Sequence, residues 1–355
     1  MKKFFFHFSI FIFIFLLINI ITAFLWGSIK SINLLNLNTK DYYSRNILEV
    51  IGIKDSEQYD FYNEMWIERK FKYVQFAEHL EAETKNQKYV NVTSDFGRFV
   101  ENNLNCKIRI FFYGSSLVFG YNAKDDQTIP SYLKKILDRK FKDKNYCVYN
   151  FGSASYYSTQ ENILLLTHYL DKKILPNDFA IFINGYAENG NIKSRLHDEI
   201  KYIFNGLELK VWDELKFSST IFFNSLPAVK LYKNLHSRFS NDLINDVSDD
   251  QVKISEINKK KIIEIKNVFI SNLEIRNAIC EKVTINCYTF LPPIPSESDK
   301  LTRLKYYLFK DIPLLIDISE ILNEENYLKF VDKSHYTPKA ANHIANEIFN
   351  KINFD

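Results

Sequence analysis

The chain has 355 residues, enough for one large domain or two ordinary ones. With 46% hydrophobic and 25% charged residues it is not a disordered chain, and 46 Lys and Arg against 43 Asp and Glu leave a net charge of +3, which gives no electrostatic ground for nucleic-acid binding. Phe (31) and Tyr (22) are abundant while glycine is scarce at nine, which excludes Gly-rich low complexity and makes each glycine informative.

After Lys2 and Lys3 the chain is apolar from Phe4 to Trp26, broken only by His7, Ser9, Asn19 and Thr22. As a helix this run is roughly 34 Å long, enough to cross a bilayer. It is longer than a secretory h-region and ends Ala23-Phe24-Leu25-Trp26-Gly27 without an A-x-A cleavage pattern. An uncleaved signal anchor over residues 4–26 is therefore expected. Lys2 and Lys3 precede the span and only Lys30 follows closely, so the short end faces the cytoplasm and the rest lies in the periplasm or outside the cell.

Residues 27–105 read as a stalk and lead-in that packs on the main domain, with aromatic residues (Phe61, Trp66, Phe71, Phe76) at mixed helical spacing. Beyond them strands alternate with helices. Strands are predicted at 108–113, 146–150, 179–183, 283–290 and 313–318, and helices at 126–141, 158–170, 256–280 and 337–352. Such alternation predicts an α/β fold: a five-stranded parallel sheet between two helical layers, a flavodoxin-like three-layer sandwich over 106–355. Residues 190–255 lack the alternation and read as an insertion, a candidate lid. His168 and His343 fall on predicted helices and read as structural. Cys106, Cys147, Cys280 and Cys287 lack metal-ligand spacing, so no metal site is expected. Cys106 and Cys147 begin neighbouring predicted strands; a bridge there and a set of four small buried hydrophobes are both open.

In an open α/β sheet ligands bind beyond the carboxyl ends of the strands. Four of the nine glycines (114, 120, 152 and 185) lie in the loops at that end. After the first strand comes Gly114-Ser115-Ser116-Leu117-Val118-Phe119-Gly120, after the second Asn150-Phe151-Gly152-Ser153-Ala154-Ser155, after the third Asn184-Gly185-Tyr186-Ala187-Glu188-Asn189, and after the fifth Asp332-Lys333-Ser334-His335. A serine hydroxyl becomes a nucleophile when a base takes its proton, a histidine can do so at neutral pH, and an aspartate three residues earlier can orient the ring.

These loops resemble those of the SGNH/GDSL-type serine hydrolases over about residues 105–355. The first matches that family's G-D-S-x-x-x-G block with Ser115 in place of the aspartate, and the last matches its D-x-x-H block. The resemblance implies Ser116 as nucleophile, His335 as base and Asp332 as its orienter, with no cofactor. It also implies oxyanion-binding groups in the second and third blocks, from Gly152, Ser155, Gly185 and a nearby asparagine. Ser155 occupies the family's glycine position and Ala187 the position of its third-block asparagine. Asn189, ahead of Asn184, is expected to supply the missing amide. The implied activity is hydrolysis of acyl esters, foremost O-acetyl, of an envelope carbohydrate or lipid. Transfer of the acyl group to a cell-surface polysaccharide by the same triad, and a non-catalytic glycan-binding or assembly role, remain open.

Overall fold

The computed structural model describes residues 6–7, 9–11, 13–23, 43–84, 86–102, 106–185, 187–188, 226–229, 256–295, 298 and 300–354. Residues 41–191 and 256–355 form one compact unit; residues 1–40 and 192–255 group as a second. In the second unit, residues 13–23 are helical with Phe13, Ile14, Leu16, Leu17, Ile18, Ile20 and Ile21 exposed. Among the described residues no helix is long and apolar enough to cross a membrane. Apart from residues 226–229, the predicted insertion lies outside the described residues.

In the larger unit short helical segments, among them Arg45–Ile51 and Gln58–Tyr62, lead into a hairpin, β1 (Phe71–Val74) and β2 (Glu78–Glu81), followed by β3 (Val92–Thr93), β4 (Gly97–Arg98), β5 (Ile108–Gly114), β6 (Tyr146–Gly152), β7 (Phe179–Ile183), β8 (Asn286–Leu291) and β9 (Ile316–Asp317). Strands β3 to β9 form one sheet in the order β3-β4-β6-β5-β7-β8-β9. The expected five-stranded parallel sheet is thus corrected to a seven-stranded mixed one. Its parallel core β6-β5-β7-β8-β9 is extended by β4, parallel to β6, and by β3, antiparallel at the edge. Both added strands come from the lead-in. At two residues each they are too short to show a period-2 pattern. The strand expected at 313–318 shrinks to Ile316–Asp317, because Pro313, which has no amide hydrogen, sits in a turn. The strand expected at 283–290 begins at Asn286, since the helix Glu256–Val283 runs on to Val283.

Alternation along β5 divides the core in two. Ile110 and Phe112 pack with Leu133, Leu137, Ala341 and Ile344 of the helices Ile129–Lys140 and Pro338–Lys351. Phe111 and Tyr113 pack with Leu164, Leu165 and Cys280 of the helices Ser158–Leu170 and Glu256–Val283. One helical layer therefore covers each face, as a parallel sheet requires. The cysteines are joined as Cys106–Cys147, tying β5 to β6 near their amino ends, and Cys280–Cys287, linking the long helix to β8, with Cα separations of 5.5 and 6.1 Å.

His168 lies in the core, where a hydrogen bond of 2.9 Å joins its Nδ1 to Tyr113 Oη. Burial pulls its imidazole down to about 3. An unfolded histidine takes up its proton near pH 6.5, so below that pH the unfolded chain binds more protons than the native one. Stability should therefore fall as pH drops from 6.5 toward 3, by at most about 1.4 kcal/mol per pH unit. Urea midpoints measured across this range should fall less steeply for His168→Gln.

Candidate active site

The parallel strands end level: Gly114 pairs with Gly152 on one side and Ile183 on the other. From Gly114 the chain turns into a four-residue helix, Ser116–Phe119, capped by Ser115, whose hydroxyl accepts from Leu117 N–H. The helix folds back against β6 because residue 152 is glycine; a Cβ there would lie 2.2 Å from Phe119 N. Asn150 holds the contact, its Nδ2 donating to Val118 O at 2.9 Å and its Oδ1 accepting from Gly152 N–H.

The segment Gly120–Ala123 follows this helix, and a buried arginine from the lead-in organises it. Arg98 Nη1 donates to Phe119 O (2.8 Å) and Gly120 O (2.5 Å), Nη2 donates to Ala123 O (2.5 Å), and Nε pairs with Asp125 at 3.2 Å. Fixing these carbonyls fixes Tyr121 and Asn122 between them.

His335 arrives on the loop before the closing helix. Phe330 and Tyr336 form an antiparallel bridge, Val331 N–H donates to His335 O, and Thr337 caps the helix Pro338–Lys351. Within that loop Asp332 Oδ1 accepts from the amides of Ser334 and His335, both at 2.8 Å, while Oδ2 accepts from His335 Nδ1 at 2.7 Å. On the far side of the ring, His335 Nε2 lies 3.0 Å from Ser116 Oγ. The three predicted residues, 219 positions apart at the extreme, therefore form one hydrogen-bonded chain. With the Nδ1 proton held by the carboxylate, Nε2 presents a lone pair to the Ser116 hydroxyl, the arrangement general-base activation needs. Burial pushes the Asp332 carboxyl upward, but the hydrogen bond and charge of His335, with the backbone amides, outweigh it and hold the group below the usual carboxylate range.

The imidazole sits among aromatics from elsewhere in the chain. Tyr121 stacks on it with centroids 5.1 Å apart at 14°, and Trp66 meets it edge-on at 6.5 Å. The Arg69 guanidinium lies 3.8 Å from the Tyr121 ring centroid and pairs with Glu81 at 3.1 Å. Asn122 Nδ2 donates to Asp332 Oδ2 at 2.7 Å. The sequence reading missed all of these. A lone asparagine and scattered aromatics carry no spacing signal, and their roles depend on a tertiary contact 210 positions away.

The residues expected to stabilise an oxyanion fare unevenly. Ser155 is exposed, with a left-handed φ of 59°, so a serine holds the conformation that glycine favours. Among the described residues no acceptor takes its N–H. The turn that carries it is pinned from the hairpin: Ala154 N–H donates to Glu81, and His79 Nε2 meets Ala154 O at 3.0 Å. Gly152 serves the close approach, its amide being spent on Asn150. Gly185, at φ 114°, faces Leu291 across the space where a Cβ would lie. Asn184 does not point to the serine. Its Nδ2 donates to Glu161 at 2.7 Å and its Oδ1 accepts from Arg276 at 2.7 Å, within the fully buried Glu161–Arg276 pair. A buried ion pair left short of hydrogen bonds is costly, and the asparagine amide completes it. Ala187 has no side-chain donor. Asn189 lies outside the described residues.

Replacing Arg98 by methionine takes the charged donor from three loop carbonyls and leaves the mostly buried Asp125 with Asn91 but no counter-charge, and chemical denaturation should show a loss of about 3–5 kcal/mol. Ser155→Gly relieves the left-handed backbone while keeping its N–H; it should gain about 1 kcal/mol in the same assay.

No family model and no curated protein matches this chain. Several solved structures do. They include LAE5, an α/β hydrolase enzyme from the metagenome of Lake Arreo, Spain (TM-score 0.37, 11% identity, covering 69% of this chain and 94% of that one). A lipolytic protein of the G-D-S-L family from Veillonella parvula is similar at TM-score 0.36 and 11% identity, covering 69% of this chain and 100% of its own. Axe2, an acetylxylan esterase from Geobacillus stearothermophilus, is similar at TM-score 0.39 and 11% identity, covering 71% and 97%. At 11% identity and TM-scores below 0.5 the likeness says nothing of this chain's chemistry.

Proposed function

We propose that this chain is a serine esterase that cleaves acyl esters through an acyl-serine intermediate at Ser116. One observation carries the reading: Ser116 Oγ lies 3.0 Å from His335 Nε2, while Nδ1 of the same ring is held by Asp332. In the first half-reaction Ser116 Oγ attacks the ester carbonyl carbon and its proton passes to Nε2. The tetrahedral oxyanion accepts from the backbone N–H groups of Ser116 and Ser155, and His335 returns the proton to the leaving alcohol. Water then loses a proton to Nε2 and attacks the acyl-serine carbonyl, releasing the acid and the free serine.

The substrate is a small acyl ester, O-acetyl foremost, of a carbohydrate or lipid in the cell envelope. The cavity beside the nucleophile, lined by Ser116, Leu117, Tyr121, Ile129, His335 and Tyr336, has room for no more than about one water, which leaves no space there for a long acyl chain. The proposed location, outside the cytoplasmic membrane and tethered by residues 4–26, is supported by that largely apolar run, free of Asp, Glu, Lys and Arg, and by the exposed apolar residues of its helical stretch. With Asn184 committed to the buried pair and Ala187 in the third block, the oxyanion is stabilised mainly by backbone amides. A missing side-chain donor lowers turnover by about 100–1,000-fold, so a slow enzyme is expected.

A fluorophosphonate should add one adduct to the full-length chain, detected by intact mass and mapped by peptide to Ser116. Labelling and acetyl-ester hydrolysis should both vanish in Ser116→Ala. An adduct elsewhere, or hydrolysis that survives the substitution, would overturn the reading. A glycan acceptor that diverts the acyl group from water would recast the enzyme as a transferase.

A further inference from the structure

We infer that Asn122 is a positioning residue for the Asp332–His335 pair, and that Tyr43 and Trp66 of the lead-in set the direction of its amide; the inference rests on the esterase reading above. Asn122 is 3% exposed and sits at φ 60°, a left-handed conformation that asparagine tolerates better than most residues. Its Oδ1 accepts from Tyr43 Oη–H at 2.9 Å and from Trp66 Nε1–H at 2.9 Å. Indole N–H can only donate, and burial keeps the Tyr43 hydroxyl protonated. Two donors aimed at one end of the amide leave it a single orientation, with Nδ2–H toward Asp332 Oδ2 at 2.7 Å. A flipped amide would set a carbonyl against a carboxylate.

The consequence is a saturated carboxylate. Asp332 accepts from His335 Nδ1 and Asn122 on one oxygen and from two backbone amides on the other. The Asn122 bond fixes the plane of the carboxylate and so the tilt of the ring that must reach Ser116. It also draws proton affinity from Asp332, so the carboxylate stabilises an imidazolium less than it would unassisted. The titratable and charged groups around this assembly are Tyr43, Tyr62, Arg69 and Glu81 from the lead-in, Tyr121 from the loop after β5, and the exposed Lys333 on the loop of Asp332 itself. None of them donates to Asp332 Oδ2, where the only donors among the described residues are His335 and Asn122.

The test uses the full-length chain with a chromogenic acetyl ester and three variants: Asn122→Ala, Asn122→Asp and the double substitution Tyr43→Phe with Trp66→Phe. Thermal melts confirm that each is folded. Asn122→Ala should lower kcat about 10- to 100-fold with KM within about twofold, because the ring is misplaced while the substrate surface is intact. Its acid limb of kcat/KM should move to higher pH by about half a unit or more, since Asp332 then favours the imidazolium. Asn122→Asp should move the limb further in the same direction, and the double variant should reproduce part of the Asn122→Ala effect. An unmoved acid limb in both Asn122 variants, or a double variant identical to wild type, would overturn the inference. Proton NMR titration of His335 in wild type and Asn122→Ala reads the same shift without turnover. If the wild type shows no Ser116-dependent hydrolysis, the esterase reading fails on its own, and the imidazole titration still decides whether Asn122 tunes the pair.

Discussion

The site depends on one buried cation. A guanidinium removed from water must find acceptors for its N–H groups, and Arg98 finds them in the carbonyls of Phe119, Gly120 and Ala123, in the loop behind Ser116, and in Asp125. That requirement turns a loop, otherwise the least constrained part of an α/β unit, into a rigid platform. The platform carries the helix bearing Ser116, the Tyr121 ring that stacks on His335, and the Asn122 amide that grips Asp332. The arginine is placed by a strand of two residues, Gly97–Arg98, held in the sheet between the edge strand β3 and β6.

Two polar clusters of different purpose flank the strand ends. One is open on its upper side and chains Asp332, His335 and Ser116 toward solvent. The other, Glu161 with Arg276, Asn184, Asn162 and Thr289, is sealed, and the guanidinium lies 3.7 Å from the Phe182 ring centroid. The closed cluster joins the helices Ser158–Leu170 and Glu256–Val283 to the ends of β7 and β8. It uses an asparagine that, by position in the sequence, was expected to serve chemistry. Glu188 extends the same logic, accepting from the Ser158 amide and hydroxyl and so closing the first turn of that helix.

The parts legible in the sequence are those with local signatures. The runs Ile108–Tyr113, Tyr146–Asn150 and Phe179–Ile183 are apolar, rich in aromatic and β-branched residues and flanked by turn formers, so they read as buried strands and are strands. Ser116, Asp332 and His335 stand out because a glycine-bounded serine and an Asp three before a His are short-range patterns; the structure brings the three together. What escapes is decided by contacts with no local trace. The two-residue strands of the lead-in exist because β6 offers an edge, and Asn184 turns inward because Arg276, 92 positions on, needs an acceptor. Asn122 differs from any loop asparagine only by what lies around it.

The lead-in also redraws the boundary of the molecule. Division at residue 105 suggests itself from the alternation of strands and helices, and a fragment beginning there would keep Ser116, Asp332 and His335. It would lose the guanidinium at 98, the carboxylate at 81 and the donors at 43 and 66. Such a fragment would retain every residue a motif search can find and shed the scaffolding that aims them. A piece that keeps these contacts reaches back to Tyr43, so the cut that the motifs suggest and the one that the hydrogen bonds require fall more than sixty residues apart.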